Sequence, residues 1–410
     1  MSKRVALVSP EFPPATNWGG IATYNYNLAV ILSKLGYDVT IFSEGKNHSI
    51  ESNKNIHYTQ IQFKTNNKII NFIYYNPFSK LIRIIFKKYL PMTSQILKWN
   101  FFSTFEILSY IQNKKKSFDY FYTTDYRSPA LFLKIILRKH KWKQLIHGPQ
   151  LLFEEYTRKN IDKKFQKYLE LFDLHYFSQN VQRFAYSKQI VSLMNEKDIS
   201  VSYISPLILI DEKASNSRKK HKVAYANIIN RNRLVYYGRI EYRKGVDLLI
   251  QSFNRLSKQH SDLELHIIGN DSNDFGIKRN LSIADVANTA SKKIFFYPYI
   301  SHKNSLKTLL DELNGVIIVP SRFEPLGYTI VESMLNENIV ITTSNQEGII
   351  IDYLNGFSCN PTVKSLTNKI VEIKKIKENE INKIRKSAKE SLHRKYAINL
   401  IEEEYASLFN

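Results

Sequence analysis

Residues 315–335 read as one strand, loop and helix, and that unit limits the fold more than any other stretch of the chain. Residues 316–319 are a β-branched apolar run suited to a strand buried on both faces of a parallel sheet. Beyond Pro320 and Pro325, Ile330, Val331, Met334 and Leu335 fall at i, i+1, i+4 and i+5, the spacing of a helix with one buried stripe. In an open α/β sheet such a turn lies at the carboxyl edge, where ligands bind. The amides of Leu326, Gly327 and Tyr328 would open the helix, and free amides at the positive end of a helix dipole favour a phosphate. Glu324 just before the helix and Glu332 about one turn inside it would flank that anion with carboxylates suited to sugar hydroxyls.

Strand and helix patterns alternate elsewhere too. Strands are predicted at 5–9, 39–42, 120–123, 144–146, 184–187 and 201–205, with helices at 21–35 and 128–139 and another after 187. A polar, basic linker covers 211–232. Beyond it come strands at 234–237, 263–268, 294–297 and 339–343, helices at 246–257 and 304–313, and helices again from 362 to 409. With 410 residues the chain is too long for one ordinary core, and the alternation predicts two doubly wound α/β domains, 1–210 and 233–395.

Four further features fall in predicted loops at or after strand ends. Gly238 allows a tight exit from its strand, and Arg239 and Lys244 place two cations after it, the charge a diphosphate needs. Gly269 ends the next strand in a ligand-facing turn. In the first half, Gly19 and Gly20 precede a helix and permit close approach of a ligand to the backbone. This is not a dinucleotide fingerprint. His147 follows a strand, the position of a functional histidine or of a loop residue with no role.

Glu324 and Glu332 at their spacing, with Pro325, Leu326 and Gly327 between, resemble the donor motif of the retaining glycosyltransferases of family 4, the group 1 enzymes. Gly238, Arg239 and Lys244 resemble that family's second signature. The resemblance implies the GT-B fold, two Rossmann-like domains facing across a cleft, with residues 396–410 crossing back to the first domain. It implies a UDP- or GDP-sugar as donor substrate, with Arg239 and Lys244 stabilising the departing diphosphate, Glu324 holding the sugar, Glu332 the ribose and His147 the sugar from the opposite domain. No cofactor or metal is expected: the cations would replace an ion, and the chain shows no Asp-x-Asp motif or His/Asp cluster. Where the family has two adjacent glycines and a glutamate, residues 344–349 read Ser-Asn-Gln-Glu-Gly-Ile. That departure keeps open a catalytically silent accessory subunit, and a nucleotide-sugar epimerase is a third reading.

The formal charge of +22 permits an anionic partner. Residues 63–116 are basic and aromatic, with Trp99, Phe101, Phe102 and residues 114–116 among them. Lys80, Arg83 and Lys87 share one side of a predicted helix at 79–90, which would lie on an anionic membrane surface or pack its apolar face on the core. The expected acceptor is a saccharide or a lipid-linked one. No nucleic-acid module is recognisable. Cys359 is the only cysteine, so no intrachain disulfide forms, and neither a signal peptide nor a membrane span is legible. A cytoplasmic protein, peripheral at the inner membrane face, fits these features.

Overall fold

The computed structural model describes residues 2–13, 19–45, 55–62, 91–125, 130–148, 181–210, 228–270, 293–300, 303–344 and 348–409. The helix predicted at 79–90 lies outside these residues, as do 345–347 of the departing loop.

Among the described residues seven strands form the first sheet: β1 Arg4–Val8, β2 Asp38–Ser43, β3 Ile56–Gln60, β4 Tyr120–Thr124, β5 Lys141–Leu145, β6 Gln182–Ala185 and β7 Ser202–Tyr203. Six form the second: β8 Asn230–Tyr237, β9 Glu264–Ile268, β10 Ile294–Tyr297, β11 Gly315–Val319, β12 Val340–Thr342 and β13 Phe357–Ser358. The orders are β3-β2-β1-β4-β5-β6-β7 and β10-β9-β8-β11-β12-β13. Every neighbouring pair is parallel. Each sheet therefore reverses its winding once, between β1 and β4 and between β8 and β11. Such switch points open a crevice at the carboxyl ends of the strands.

The described helices are α1 Gly20–Lys34, α2 Pro91–Lys114, α3 Leu131–Ile136, α4 Lys188–Asn195, α5 Val246–Leu256, α6 Lys303–Leu313, α7 Tyr328–Leu335, α8 Val363–Lys375, α9 Glu378–Lys395 and α10 Ile398–Leu408. Local chemistry sets their ends. The Ser187 hydroxyl accepts the Ile190 amide at the start of α4, and Thr362 accepts the Ser365 amide at the start of α8. On α5, Val246, Leu249, Ile250, Phe253 and Leu256 form one stripe against β8 and β9, which is why an eleven-residue segment this polar elsewhere stays helical.

Several predicted boundaries move. β5 begins three residues before the predicted strand, because Lys141 and Lys143 keep their charged ends outside while Trp142 packs on Phe121 at 4.8 Å. β8 begins at Asn230, inside the stretch assigned to the linker; Arg231 and Arg233 sit half-buried there, bonded to the Ile373 carbonyl and to Glu264. β6 spans 182–185 rather than 184–187, and Ser187 serves as a cap instead. Within 128–139 only Leu131–Ile136 is helical among the described residues. Trp99 and Phe102 of α2 are buried with Phe121 and Trp142, so they are core residues, not members of an outward aromatic surface.

The chain passes between the two layers twice. The segment 204–210 leads away from the first sheet, and α10 returns to it while α9 stays on the second. Phe409 packs on Tyr37 and Tyr120, and Lys3 Nζ donates to the Phe409 carbonyl. The Tyr24 and Tyr405 hydroxyls lie 2.7 Å apart, Tyr405 donates to the Ser205 carbonyl, and the Ser205 amide donates to Glu404. No described helix is long and apolar enough to cross a membrane.

Candidate functional site

The carboxyl end of β8 and the loop after β11 come together at the second switch point. Gly238 leaves β8, and Arg239 to Lys244 curl into a short 3-10 turn, Tyr242–Lys244. Gly245 closes that turn at φ +68°, and a side chain on it would overlap the Pro320 carbonyl oxygen. The backbones of the two loops touch there. Arg322 fixes them further, taking Asp247 with both guanidinium ends (2.8 and 2.7 Å) and stacking 3.6 Å over the Tyr242 ring.

This docking brings Lys244 onto Glu324 in a direct ion pair. Arg243, which the sequence reading left without a role, is buried between them: its guanidinium donates to Glu241 at 2.8 Å and to the Phe323 carbonyl at 3.0 Å, and lies 3.6 Å from Glu324. Arg239 is half exposed, 3.5 Å from Glu241. Three cations and two carboxylates therefore share one small volume. Burial alone would raise the Glu324 carboxyl, but Lys244 and Arg243 beside it carry it below the usual carboxylate range. Burial lowers the Lys244 ammonium from its ordinary value, against the pull of Glu324.

Helix α7 begins at Tyr328 with Gly327 as its cap at φ +78°. The Ile330 amide is the first to turn back, onto the Gly327 carbonyl, so the amides just before it lead the helix. Leu326 is buried in the core below, and Glu332 is half-buried on α7 close to Tyr237 and Tyr328. Ser344, the first residue of the departing loop, accepts the Glu324 amide at 3.0 Å. Gly269 abuts Gly238, the ends of adjacent strands.

From the first layer, Asp125 at the end of β4 organises His147. Its Oδ1 accepts the His147 amide at 2.9 Å and lies 3.0 Å from the ring Nδ1, while Oδ2 accepts the Gly148 amide. A carboxylate only accepts, so this geometry assigns the proton to Nδ1. Nε2 is buried and has no hydrogen-bond partner among the described residues. The ring meets Tyr24 and Tyr186 edge-on at 6.0 and 5.5 Å. Asp125 was missed by sequence reasoning, although an acid directly after an apolar strand was its visible signal.

The two layers meet at this point. Tyr186 is held protonated by burial first, then by the nearby Tyr328, Asp125 and Glu324, which come from both sides. Phe323 leaves the β11 loop and is wholly buried with Ile146, Ala185, Ile190, Met194 and Val201 of the first layer. The Tyr328 hydroxyl donates to the Leu207 carbonyl, and its ring would lie 3.3 Å from a Cβ on Gly20. Gly19 caps α1 beside Glu11. Of the residues singled out from sequence, His147 and Glu324 both neighbour Tyr186, Lys244 pairs with Glu324, and Gly20 and Tyr328 meet at the same junction, while Gly238 and Gly269 abut each other at the strand ends of the second layer and Glu332 lies on α7.

The two Rossmann-like layers and their junction define a GT-B fold. The chain aligns over 99% of its length with 98% of sucrose-phosphate synthase from Thermosynechococcus elongatus at 17% identity and a TM-score of 0.72. It aligns over 100% of its length with 100% of S. aureus TarM (13% identity, TM-score 0.66). With Anabaena HepE the figures are 99% and 98% coverage, 12% identity and a TM-score of 0.63. At these identities the likeness is one of fold. Residues 217–391, which hold the cation cluster and α7, match the family described as glycosyl transferases group 1. No curated protein matches the chain in sequence.

Proposed function

We propose that the protein is a retaining glycosyltransferase that moves a sugar from a nucleotide-diphosphate donor to a saccharide or lipid-linked acceptor without a bound divalent ion. The observation that carries this reading is the convergence of Arg239, Arg243 and Lys244 with Glu324 before the leading amides of α7. A diphosphate set on those amides meets Arg239 and Lys244, which offset the charge that develops on it as the C1–O bond breaks. The acceptor oxygen bonds C1, and its proton leaves with the diphosphate.

Lys244 has Glu324 as its anion in this structure. A bound diphosphate offers Lys244 a second anion and frees a Glu324 oxygen for sugar hydroxyls. Glu332 on α7 is assigned the ribose. His147 contributes from the other layer: with its proton on Nδ1, Nε2 is an acceptor for a sugar hydroxyl, which would satisfy a buried nitrogen that lacks a partner among the described residues. A UDP-sugar is the favoured donor over a GDP-sugar. Anabaena HepE is described with UDP-glucose and TarM with UDP and alpha-GlcNAc-glycerol, which supports that choice. Surface polysaccharide or glycolipid synthesis at the inner face of a bacterial membrane is the setting these features suit.

Nucleotide release from a panel of nucleotide sugars, in EDTA, with and without a membrane extract, tests the reading. Release from one donor, raised by the extract, is expected. Donor binding with no release in any extract would replace the transferase with an accessory subunit, and activity lost in EDTA and restored by a divalent ion would end the metal-free mechanism.

A further inference from the structure

The edge of the first layer opposite the candidate site carries two features that core packing does not explain. Helix α3 buries Leu133 completely but leaves its last two residues, Ile135 and Ile136, 57% and 55% exposed. Directly after them Arg138, Lys139, His140 and Lys141 are all exposed, and no acidic residue occurs between Asp125 and Glu154. The turn is rigid. The Leu137 amide returns to the Leu133 carbonyl, the His140 amide to the Leu137 carbonyl, and the Trp142 indole donates to that same Leu137 carbonyl at 3.1 Å. His140 rests edge-on against Phe121 at 5.3 Å. The aliphatic pair and the cations are therefore held outward by the fold.

A second group of cations joins them. α2 packs on α3 and ends at the exposed Lys114 and Lys115, and Tyr120 of β4 pairs with Lys141 of β5, so both turns enter the sheet at the same edge.

We propose that this edge docks the protein on an anionic lipid bilayer, with Ile135 and Ile136 entering the acyl boundary and Arg138, Lys139, Lys141, Lys114 and Lys115 facing the headgroups. Cations alone would suit any polyanion. Two adjacent aliphatic side chains presented beside them suit a surface with an apolar layer under its charge, which a bilayer has and a nucleic acid lacks. The contact is independent of the transferase reading, since these residues precede the strands whose far ends carry Asp125 and His147. β5 has five residues, or about 17 Å of strand, so that length separates the docking edge from the strand end that leads to His147.

The test is co-sedimentation of the full chain with vesicles of phosphatidylcholine alone or mixed with phosphatidylglycerol. Binding to the anionic vesicles only is expected. Each basic side chain near such a surface gives about a fivefold factor in partitioning, so R138Q, K139Q and K141Q together should lower it by about 10²-fold. Ile135→Ser with Ile136→Ser should weaken vesicle binding and leave binding to heparin unchanged. Both variants alter exposed side chains and should keep the unfolding midpoint and donor-dependent nucleotide release in solution. An environment-sensitive dye on Ile136→Cys, in a Cys359→Ser background, should shift to the blue with anionic vesicles, whereas the same dye on exposed Leu400→Cys should not. Failure of the wild type to bind anionic vesicles overturns the proposal. So does binding by both variants at the wild-type level, or loss of heparin and vesicle binding in equal measure with the isoleucine pair replaced, which would indicate a nucleic-acid or acidic protein partner.

Discussion

Asp125 holds His147 by its backbone and its ring together, with one carboxylate oxygen 2.9 Å from the amide and 3.0 Å from Nδ1. Asp125→Asn keeps the size of the side chain but turns one of its two acceptor oxygens into an NH2 donor, so either the His147 donors or the Gly148 amide lose their acceptor. Misplacement of about 1 Å in a reacting constellation costs about 10²-fold in rate. The expected outcome is a kcat lowered by that order with donor affinity nearly unchanged. A large rise in donor Kd at unaltered kcat would remove His147 from the reacting side of the site.

Arg239→Ala and Lys244→Ala should each lower turnover by about 10²- to 10³-fold, the range seen when one charge-stabilising group is removed. The comparison of interest is Arg243→Gln. Arg243 is buried on Glu241 and the Phe323 carbonyl and lies behind Lys244 and Glu324, so its loss should weaken donor binding and lower thermal stability together. Full activity in Arg239→Ala and Lys244→Ala would show that the diphosphate sits elsewhere.

The state of Lys244 gives a pH dependence. Burial first sets its ammonium below the ordinary lysine value, with Glu324 opposing. Donor affinity should therefore fall, as pH rises, at a lower pH than an ordinary lysine would dictate, and Lys244→Arg should move that fall upward because guanidinium does not titrate there. Glu324 runs the other way: its lowered pKa means that its ionised form stabilises the fold above the unfolded carboxyl value, and that this contribution is lost as pH drops through the folded value. Acid unfolding of Glu324→Gln, compared with the wild type, reads that contribution. A donor-affinity profile in Lys244→Arg identical to that of the wild type would detach the alkaline fall from this lysine.

Gly245→Ala tests the contact between the two donor-side loops. A left-handed backbone without room for Cβ at the Pro320 carbonyl costs of order 1–3 kcal/mol for the conformation alone. The expected result is a lowered unfolding midpoint and loss of donor binding, because Lys244 and Glu324 meet only while these loops touch. Gly36→Ala, at a left-handed position with open space around it, is the control and should retain donor binding.

Phe323→Ala should cost about 3–5 kcal/mol, the range for removing a buried phenylalanine. Since that ring is the second layer's plug in the first, the rate of transfer should fall beyond what the lower stability explains. Calorimetry with steady-state kinetics below the unfolding range separates the two effects.

Much of the second layer was legible in sequence because its strands are short apolar runs buried on both faces, and β9, β11 and β12 fall within one residue of the expected bounds. Glu324, Arg239 and Lys244 stand in a dense local motif. Strands that begin with charged or polar residues were harder to bound. Lys141 and Asn230 look like loop residues until a neighbouring strand is there to pair them. β3 was not anticipated, since its residues are half-buried or exposed and carry no apolar run. Asp125 and Phe323 act on residues far away in the chain, and no spacing rule pairs them with His147 or Ile146. Trp99 and Phe102 sit in a basic context that looks like an outer surface, yet their packing against Phe121 and Trp142 is decided by tertiary structure.

The double passage of the chain between the layers has a mechanical meaning. Residues 204–210 and the turn from α9 into α10 are two attachments, and Glu404 and Tyr405 in the second half of α10 hold the first of them at Ser205. Two bodies joined at two nearby points keep one easy freedom, rotation about the line through those points, while sliding and shear are resisted. Phe323, wholly buried among Ile146, Ala185 and Ile190, is a further contact between the layers, so any such rotation has to draw that ring out of the first layer.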